Sequence, residues 1–582
     1  MGYYTTFCCT STGCCPRPGR GNTVYRRTQT RRNSSLGRDC RVATAGKILL
    51  TVMLTAALAA GALHLPPLNL VPLNLSPPVA HAATDRVQLA FAGDVLLGSR
   101  VGKLMDERGP DWPWAQVAPV LKAADLAVCN LECAVGTSGQ PQAGKQWTFR
   151  AKPAALGGLV RAGIDVVGLA NNHVLDYGTS CLLETLDNLD RSGATHLGAG
   201  RNQQEASSPR IIEINGLKIG LLASSLLVPT LPGGKGTWAA TDNKPGIFSG
   251  HDHQRLLQSV HALSSRADWT VLFLHWGEER AEYPQKWQQN LASQLLEAGA
   301  DLVIGHHSHV WQGIDRREKT LVAYSLGNFV FTTRPEYPQQ QQTGILLVTL
   351  SKRNIEEVRV VPAQVFWGQT VLLKGTPAEE VLTRVDRLSA RFGTYVTPEG
   401  LVEREPFLDT RSHWACPVLR QAAKCQLVQG CQDGTFCPQD PTTYAHLVTM
   451  LVRALKLPVS PASSGSHWAA PYLQAAVEAG LWPADQVSTF PADEPVPRWQ
   501  AACLLDRTFS LDAPAPAVPL YIDLDAAPSS SLISILRVSQ AGIMQGYPGG
   551  RFQPLANMTR AEAVVTVLRL LQKREATAPA TP

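Results

Sequence analysis

The sequence predicts a layered α/β domain followed by a set of small helical repeats. Three observations carry that expectation. Between residues 86 and 375, short apolar runs alternate with longer amphipathic stretches, the strand–helix–strand rhythm of a sheet covered on both faces. Beyond residue 376 the texture changes to helical runs separated by Gly-containing turns, and residues 427–455 align without gaps on residues 543–571. With 582 residues, 44% hydrophobic and 17% charged, the chain is too long for one core and too apolar for wholesale disorder.

Charge removes one class of function. The formal net charge is +6, yet nine of the 53 Lys and Arg fall before residue 48 against a single acid, Asp39. Residues 48–582 keep 44 cations against 46 acids, so no cationic excess is left for nucleic acid. Residues 1–82 read as an export signal: a basic stretch, an apolar run over 48–63, and Ala80-His81-Ala82, the small-x-small pattern of signal peptidase. An uncleaved membrane anchor is the alternative, the run being near the lower limit of the roughly 20 residues that span a bilayer. Five of the 13 cysteines lie in that leader. Of the other eight, Cys416, Cys425, Cys431 and Cys437 are close enough to pair locally in an exported chain, at spacings unlike those of a zinc ribbon. Buried free thiols are the other reading.

The strand candidates are residues 87–92, 125–129, 165–169, 219–223, 269–274, 301–304, 321–324 and 345–350, with helices expected over 181–191 and 286–298. Residues 231–236, with Lys235, read as a solvated loop or as a flap over an anionic polymer. The expected organisation is an α/β domain over 83–375, a helical connector over 376–405, and three related units over 406–460, 461–512 and 520–576. The second unit is degenerate, a Pro-rich linker over 513–519 precedes the third, and 577–582 form a tail.

The chemistry is suggested by where acids and histidines fall relative to the strands. Gly93-Asp94 follows the first, Asn130-Leu131-Glu132 the second, Ala170-Asn171-Asn172-His173 the third, His275-Trp276-Gly277-Glu278 the fifth and Gly305-His306-His307-Ser308-His309 the sixth. Carboxyl ends of strands in open α/β sheets line the ligand crevice, so five strand ends deliver metal-type donors to one rim. Each piece alone reads equally as a turn, a cap or a surface histidine. Together they predict a metal centre built from Asp94, Glu132, Asn172, His173, His275, His307 and His309, with a structural network of carboxylates and imidazoles as the alternative. Imidazole with carboxylate suits Mn, Fe or Zn. Seven donors exceed one tetrahedral ion and suit a pair of divalent ions about 3.5 to 4 Å apart, of the kind that stabilises attacking and leaving oxygens in phosphoryl transfer. Cys129 and Cys133 bracket Glu132 and read as small apolar residues. His173, His275 and Glu278 are the catalytic candidates, with Glu279 weighed beside Glu278 as a general acid or base.

These motifs, with Asp176, Gly178, Val310 and Tyr324-Ser325-Leu326-Gly327-Asn328-Phe329, resemble in order the series of the CapA family of poly-gamma-glutamate capsule-synthesis proteins, over about residues 86–370. The resemblance implies a calcineurin-like metallophosphoesterase fold, a two-sheet sandwich flanked by helices, and the seven donors above as its metal shell. Two departures bear on metal occupancy: Asp94-Val95-Leu96 lacks the x-His that follows the first Asp in metallophosphoesterases, and the bridging position holds Glu132 rather than Asp. His307 is favoured over His306 as the partner of His309. In the C-terminal part, Gly546-Tyr547-Pro548-Gly549-Gly550-Arg551-Phe552 followed by Thr559-Arg560-Ala561-Glu562 resembles the S-layer homology repeat. That likeness implies a helical pseudo-trimer binding anionic secondary cell-wall polysaccharide, with Arg560, Thr559, Glu562 and Tyr547 at the polymer. The first and second copies read Thr443-Tyr444-Ala445-His446 and Pro497-Arg498-Trp499-Gln500, so one or two grooves are expected to survive.

The expected whole is an exported, cell-wall-anchored protein of capsule polymer biosynthesis, a hydrolase of the metallophosphoesterase type. Its expected partners are an anionic surface polymer, cell-wall polysaccharide and a membrane synthesis complex. The competing reading is a non-catalytic metal-binding scaffold of that complex.

Overall fold

Parallel strands buried on both faces need apolar side chains in both directions, and the first strand, Val87–Val95, supplies them. Leu89 and Phe91 point into a core shared with a second sheet, whereas Ala90 and Ala92 face a core shared with helices. The computed structural model describes residues 86–230, 236–461, 467–509 and 520–577. The leader, the stretch 231–235 with Lys235, the linker 513–519 and the end of the tail lie outside the described residues.

Two sheets form the sandwich. In the first, Val87–Val95, Leu126–Leu131, Val166–Gly168 and Thr195–Leu197 run parallel, and the antiparallel strands Gln342–Leu350, Ile355–Phe366 and Gln369–Leu372 extend the other edge. The short strand Asn328–Val330 pairs with the end of the first strand. In the second, Leu217–Ser225, Trp269–His275, Leu302–His306 and Leu321–Ala323 are parallel, edged by Arg210–Ile214 and Ile314–Arg316. Leu89, Phe91, Val128, Leu221, Phe273 and Ile304 fill the space between the sheets. Helices Ser99–Arg108, Ala155–Arg161 and Gly178–Ser192 cover one outer face, and His253–Ser264 and Lys286–Glu297 cover the other. The two-sheet α/β sandwich flanked by helices is therefore present, and every expected strand has a counterpart in it.

The helix expected as a connector, Thr376–Ser389, is part of the sandwich. Val381, Leu382, Val385 and Leu388 are buried in the core between the sheets. The hairpin Thr394–Val396 with Val402–Arg404 follows before the helical region.

The C-terminal region closes on itself around an axis. Thr442 N donates to Met558 O (2.8 Å), Met558 N to Val496 O (2.9 Å) and Val496 N to Thr442 O (3.0 Å), a ring of three backbone hydrogen bonds. Each bonded residue stands two positions before Tyr444, Arg498 or Arg560, which begin the helices Tyr444–Ala454, Arg498–Phe509 and Arg560–Thr577. Three units thus meet at equivalent positions, including the one whose sequence has drifted furthest.

Candidate metal centre

The first strand reaches the centre because it carries a glycine, Gly93, just before Asp94. A Cβ on Gly93 would lie 2.0 Å from Gly327 O, so no larger residue lets the strand pass the turn before Asn328–Val330. Asp94, fully buried, is held there by Asn130 Nδ2, which donates to its Oδ1 (2.8 Å), and by His307 N, which donates to Oδ2 (3.3 Å). His306 Nδ1 lies 3.3 Å from Oδ1, and His309 Nδ1 lies 3.2 Å from Oδ2. Burial alone would push this carboxyl up, but the imidazoles of His306 and His309 outweigh it and hold Asp94 well below the usual carboxylate range.

Glu132 is the counterpart on the neighbouring strand. Its backbone N donates to Val95 O (2.8 Å), and its side chain is fully buried with no hydrogen bond to either carboxylate oxygen. His275 Nε2 and His309 Nε2 are 3.5 Å and 3.9 Å from its Oε1. Burial, reinforced by the charge of Asp94, raises the Glu132 carboxyl well above its ordinary range. A buried carboxylate without donors is costly, and a cation is the simplest group that relieves it.

The histidine turn after Leu302–His306 closes the cluster. His307 (φ 90°) and His309 (φ 58°) both adopt left-handed backbone conformations, which cost non-glycine residues about 1 to 2 kcal/mol each. Their rings sit 5.8 Å apart, with the His275 ring 4.8 Å from that of His307. Ligand atoms of Glu132, His307 and His309 all lie within 4.8 Å of one another. This His/Glu cluster can hold a metal, and its oxygen and nitrogen donors and orphaned Glu132 oxygens fit a divalent cation. Burial, with the neighbouring charge of His309, pushes His307 down to about 3. Burial acts the same way on His309, yet Glu132 and Asp94 prevail and lift it to about 9.

Around the cluster, Asn171 ties the strand ends together. Its Nδ2 donates to Leu131 O (2.8 Å) and Asn130 Oδ1 (3.1 Å), while its Oδ1 accepts from the backbone N of His173 and Val174. Asn172 Oδ1 lies 2.9 Å from His275 Nε2, and Asn130 Nδ2 lies 3.3 Å from His275 Nδ1. His173 Nδ1 is 2.7 Å from Asp176 Oδ2, and the Phe149 ring packs tilted against the His173 ring, centres 4.5 Å apart. Lys145 donates to Asp176 and to Asn172 O. Burial lowers the Lys145 ammonium against the opposing pull of Asp176.

The structure thus brings Asp94, Glu132, Asn172, His275, His307 and His309 together, with His173 beside them on its Asp176 support. His306 also reaches Asp94, so it shares the cluster with the favoured His307. Glu278 is exposed and accepts from Gln285 Nε2 (2.8 Å), whereas it is the charge of Glu279 that bears on Glu132 and His309. Positive φ at Gly277 (90°) and Arg280 (65°) reverses the chain there, which a reading of residue order does not reveal. Lys145 was not foreseen, because it sits in an irregular segment far from any strand end. Cys129 and Cys133 are buried thiols that burial pushes up, Cys133 to about 12, which suits the apolar reading. No disulfide joins the eight described cysteines, although the sulfurs of Cys431 and Cys437 are 4.0 Å apart.

In the helical region, the residue opening each helix crosses to the next unit. Arg560 Nε donates to Phe436 O (2.9 Å) with its guanidinium 4.6 Å from the Phe436 ring centre. Arg498 Nε donates to Phe552 O (2.9 Å), its guanidinium 4.8 Å from that ring. Tyr444 occupies the third boundary, edge-on to Phe490 and Trp482. Beside Arg560 opens a cavity of about 490 Å³, lined also by Arg453, His446, Asp440 and Trp468. Arg498, by contrast, is 3% exposed and lies 3.6 Å from Glu562. Thr559 and Glu562 form a reciprocal capping box, and Tyr547 donates to Glu562 under Arg498. Of the four residues expected at the polymer, only Arg560 lines the open cavity; the other three are spent on the helix start and the sealed boundary.

Residues 88–333 match the family model of the bacterial capsule synthesis protein PGA_cap. The chain carries a PGA_cap domain. S-layer homology domains match at residues 406–448 and 523–564. Two copies are matched rather than the three expected, the middle unit being the one without a match. Over 260 residues the chain is 31% identical to capsule biosynthesis protein CapA of Bacillus anthracis, covering 44% of this chain and 62% of the relative. It is 29% identical over 292 residues to PGA biosynthesis protein CapA of Bacillus subtilis, covering 50% and 74%. A probable polyglutamine synthesis accessory protein of Mycobacterium tuberculosis is 25% identical over 339 residues, covering 55% and 89%. The chain spans just under two thirds of the anthracis relative's length. Among the described residues, no helix is long and apolar enough to cross a membrane.

Proposed function

We propose that the PGA_cap sandwich is a divalent-metal-dependent hydrolase of the phosphoesterase type, acting on an anionic surface polymer during capsule biosynthesis, and that the helical repeats hold it to the cell wall. The observation that carries the reading is Glu132, fully buried among His275, His307 and His309 with no hydrogen bond to either carboxylate oxygen. Asp94, Glu132, Asn172, His275, His307 and His309 would hold the metal. Bound divalent ions supply Lewis-acid chemistry, neutralising ester oxygens and activating water.

The chain's own groups then do three things. Asp176 fixes the His173 ring through Nδ1, leaving Nε2 as the atom that exchanges a proton with the leaving oxygen. Lys145 holds Asp176 and the Asn172 carbonyl, so His173 and Asn172 keep a fixed relation. Asn130 orients His275 at Nδ1, which would leave Nε2, 2.9 Å from Asn172 Oδ1, for the metal. For the wall, the cavity beside Arg560 offers a guanidinium, His446 and the exposed face of Trp468 to an anionic saccharide.

Metal analysis of the full chain, paired with a generic phosphodiester assay on the wild type, His275→Ala and Asp94→Asn, tests the first half. Turnover lost with bound metal in both variants supports it. Metal bound without turnover in the wild type replaces it with the scaffold reading.

A further inference from the structure

The mouth of the metal centre carries two arginines that the centre itself does not use. Arg280 follows Glu279 on the loop after Trp269–His275, and its backbone N donates to Ser308 O (2.7 Å), between His307 and His309. Its guanidinium lies 4.9 Å from the Tyr337 ring centre. Arg334 stands three residues before Tyr337, with its guanidinium 5.9 Å from the Trp147 ring centre. Both rings belong to segments that touch histidines of the centre. Phe331, three residues before Arg334, packs on His309 at 4.8 Å, and Asn328 links His309 (3.0 Å) to Gln340 O (3.1 Å). Phe149, two residues after Trp147, packs on His173.

Neither guanidinium has a carboxylate within ion-pairing distance among the described residues, and both side chains are exposed. Nearby Arg384 and Arg387 differ: both are bound to Glu282. Trp147 is 53% exposed, so one face of its ring is open to a ligand beside Arg334. An arginine seated on an aromatic face keeps its planar fork presented outward, the arrangement suited to paired oxygens of an oxyanion.

We infer that Arg280 on Tyr337 and Arg334 on Trp147 form a two-point clamp for successive oxyanion groups of an extended polymer laid across the metal centre. The inference deepens the hydrolase reading, on which it rests only for the bond between the two clamped groups. Carboxylate and phosphate polymers share the required chemistry.

The test measures binding of labelled oligoglutamate and of polyphosphate of equal charge by anisotropy. It uses the full metal-loaded chain, in an Arg560→Ala background so that the wall cavity does not contribute. The clamp predicts that Arg280→Ala with Arg334→Ala weakens the preferred polymer at least about tenfold at constant metal content, and that Lys at both sites restores only part of it. Arg108→Ala, which removes an arginine from the Trp112 face instead, leaves binding unchanged. The polymer bound more tightly identifies the source of the oxyanion. Wild-type affinity in the double variant, equal loss in the Arg108 control, or no binding of either polymer to the parent chain overturns the clamp. Metal content and ester turnover are read separately, so polymer binding without turnover sinks the hydrolase reading and leaves the clamp standing.

Discussion

The sandwich and the repeats reach an anion-facing site by opposite routes. In the sandwich, Asp94, Glu132, His173, His275 and His309 come from five strand ends far apart in sequence; Asp94, His275 and His309 have partners from other strand ends, and His173 is held by Asp176 of its own loop. In the repeats, one short motif is used three times, and a single helix-opening residue decides the fate of each boundary. Tyr444 fills one, Arg498 is sealed in another by Glu562, and Arg560 stands at an open cavity. Convergence makes every contributor indispensable, whereas repetition lets copies diverge while one keeps its groove.

That contrast is broken most severely at the sandwich. Asp94→Asn removes the charge that balances His306 and His309. Since loss of a mere outer partner costs 10- to 100-fold, ester turnover is expected to fall by at least about 100-fold in a steady-state assay. In the repeats the two arginines should separate by kind of effect. Arg498→Ala leaves a buried boundary without its cation and is expected to cost about 3 kcal/mol in urea unfolding, with wall binding by the folded fraction intact. Arg560→Ala, at the open cavity, should change stability by less than about 1 kcal/mol but reduce co-sedimentation with purified walls about tenfold. Equal behaviour of the two variants would erase the distinction between sealed and open boundaries.

A smaller effect sharpens the sandwich side. Asp301, at the start of the strand carrying the histidine turn, accepts from Thr270 N (2.7 Å), and burial raises its carboxyl from 3.8 to about 6. The folded form therefore binds the proton more tightly than the unfolded form, and stability falls as pH rises between those values. The gap amounts to about 3 kcal/mol at most. Asp301→Asn should flatten the dependence of the urea midpoint between pH 4 and 6, and an unchanged slope would remove Asp301 as its source.

Much of this was legible in the sequence, for identifiable reasons. Parallel strands buried on both faces read as apolar runs, so their ends, and the donors that follow them, could be located. The strand Ile355–Phe366 escaped because Glu356, Glu357 and Arg359 interrupt its alternation and its register shifts opposite Thr349 and Leu350. The helix Thr376–Ser389 was legible as a helix, but the core into which Val381 and Leu388 insert is not written in its own sequence. Thr559 and Glu562 carry the spacing of a capping box as well as that of a wall-binding motif, and the structure uses them for the former. Lys145 had no periodic signal at all; only folding brings it to Asp176.

The most direct test of the account is metal stoichiometry of the full chain after loading with Mn or Zn and dialysis, for the wild type and Glu132→Gln. The account predicts at least about one tightly held divalent ion per wild-type chain and a near-complete loss in a Glu132→Gln protein that unfolds at a similar temperature. A wild-type chain that retains no metal, or a Gln variant that retains as much, would contradict it.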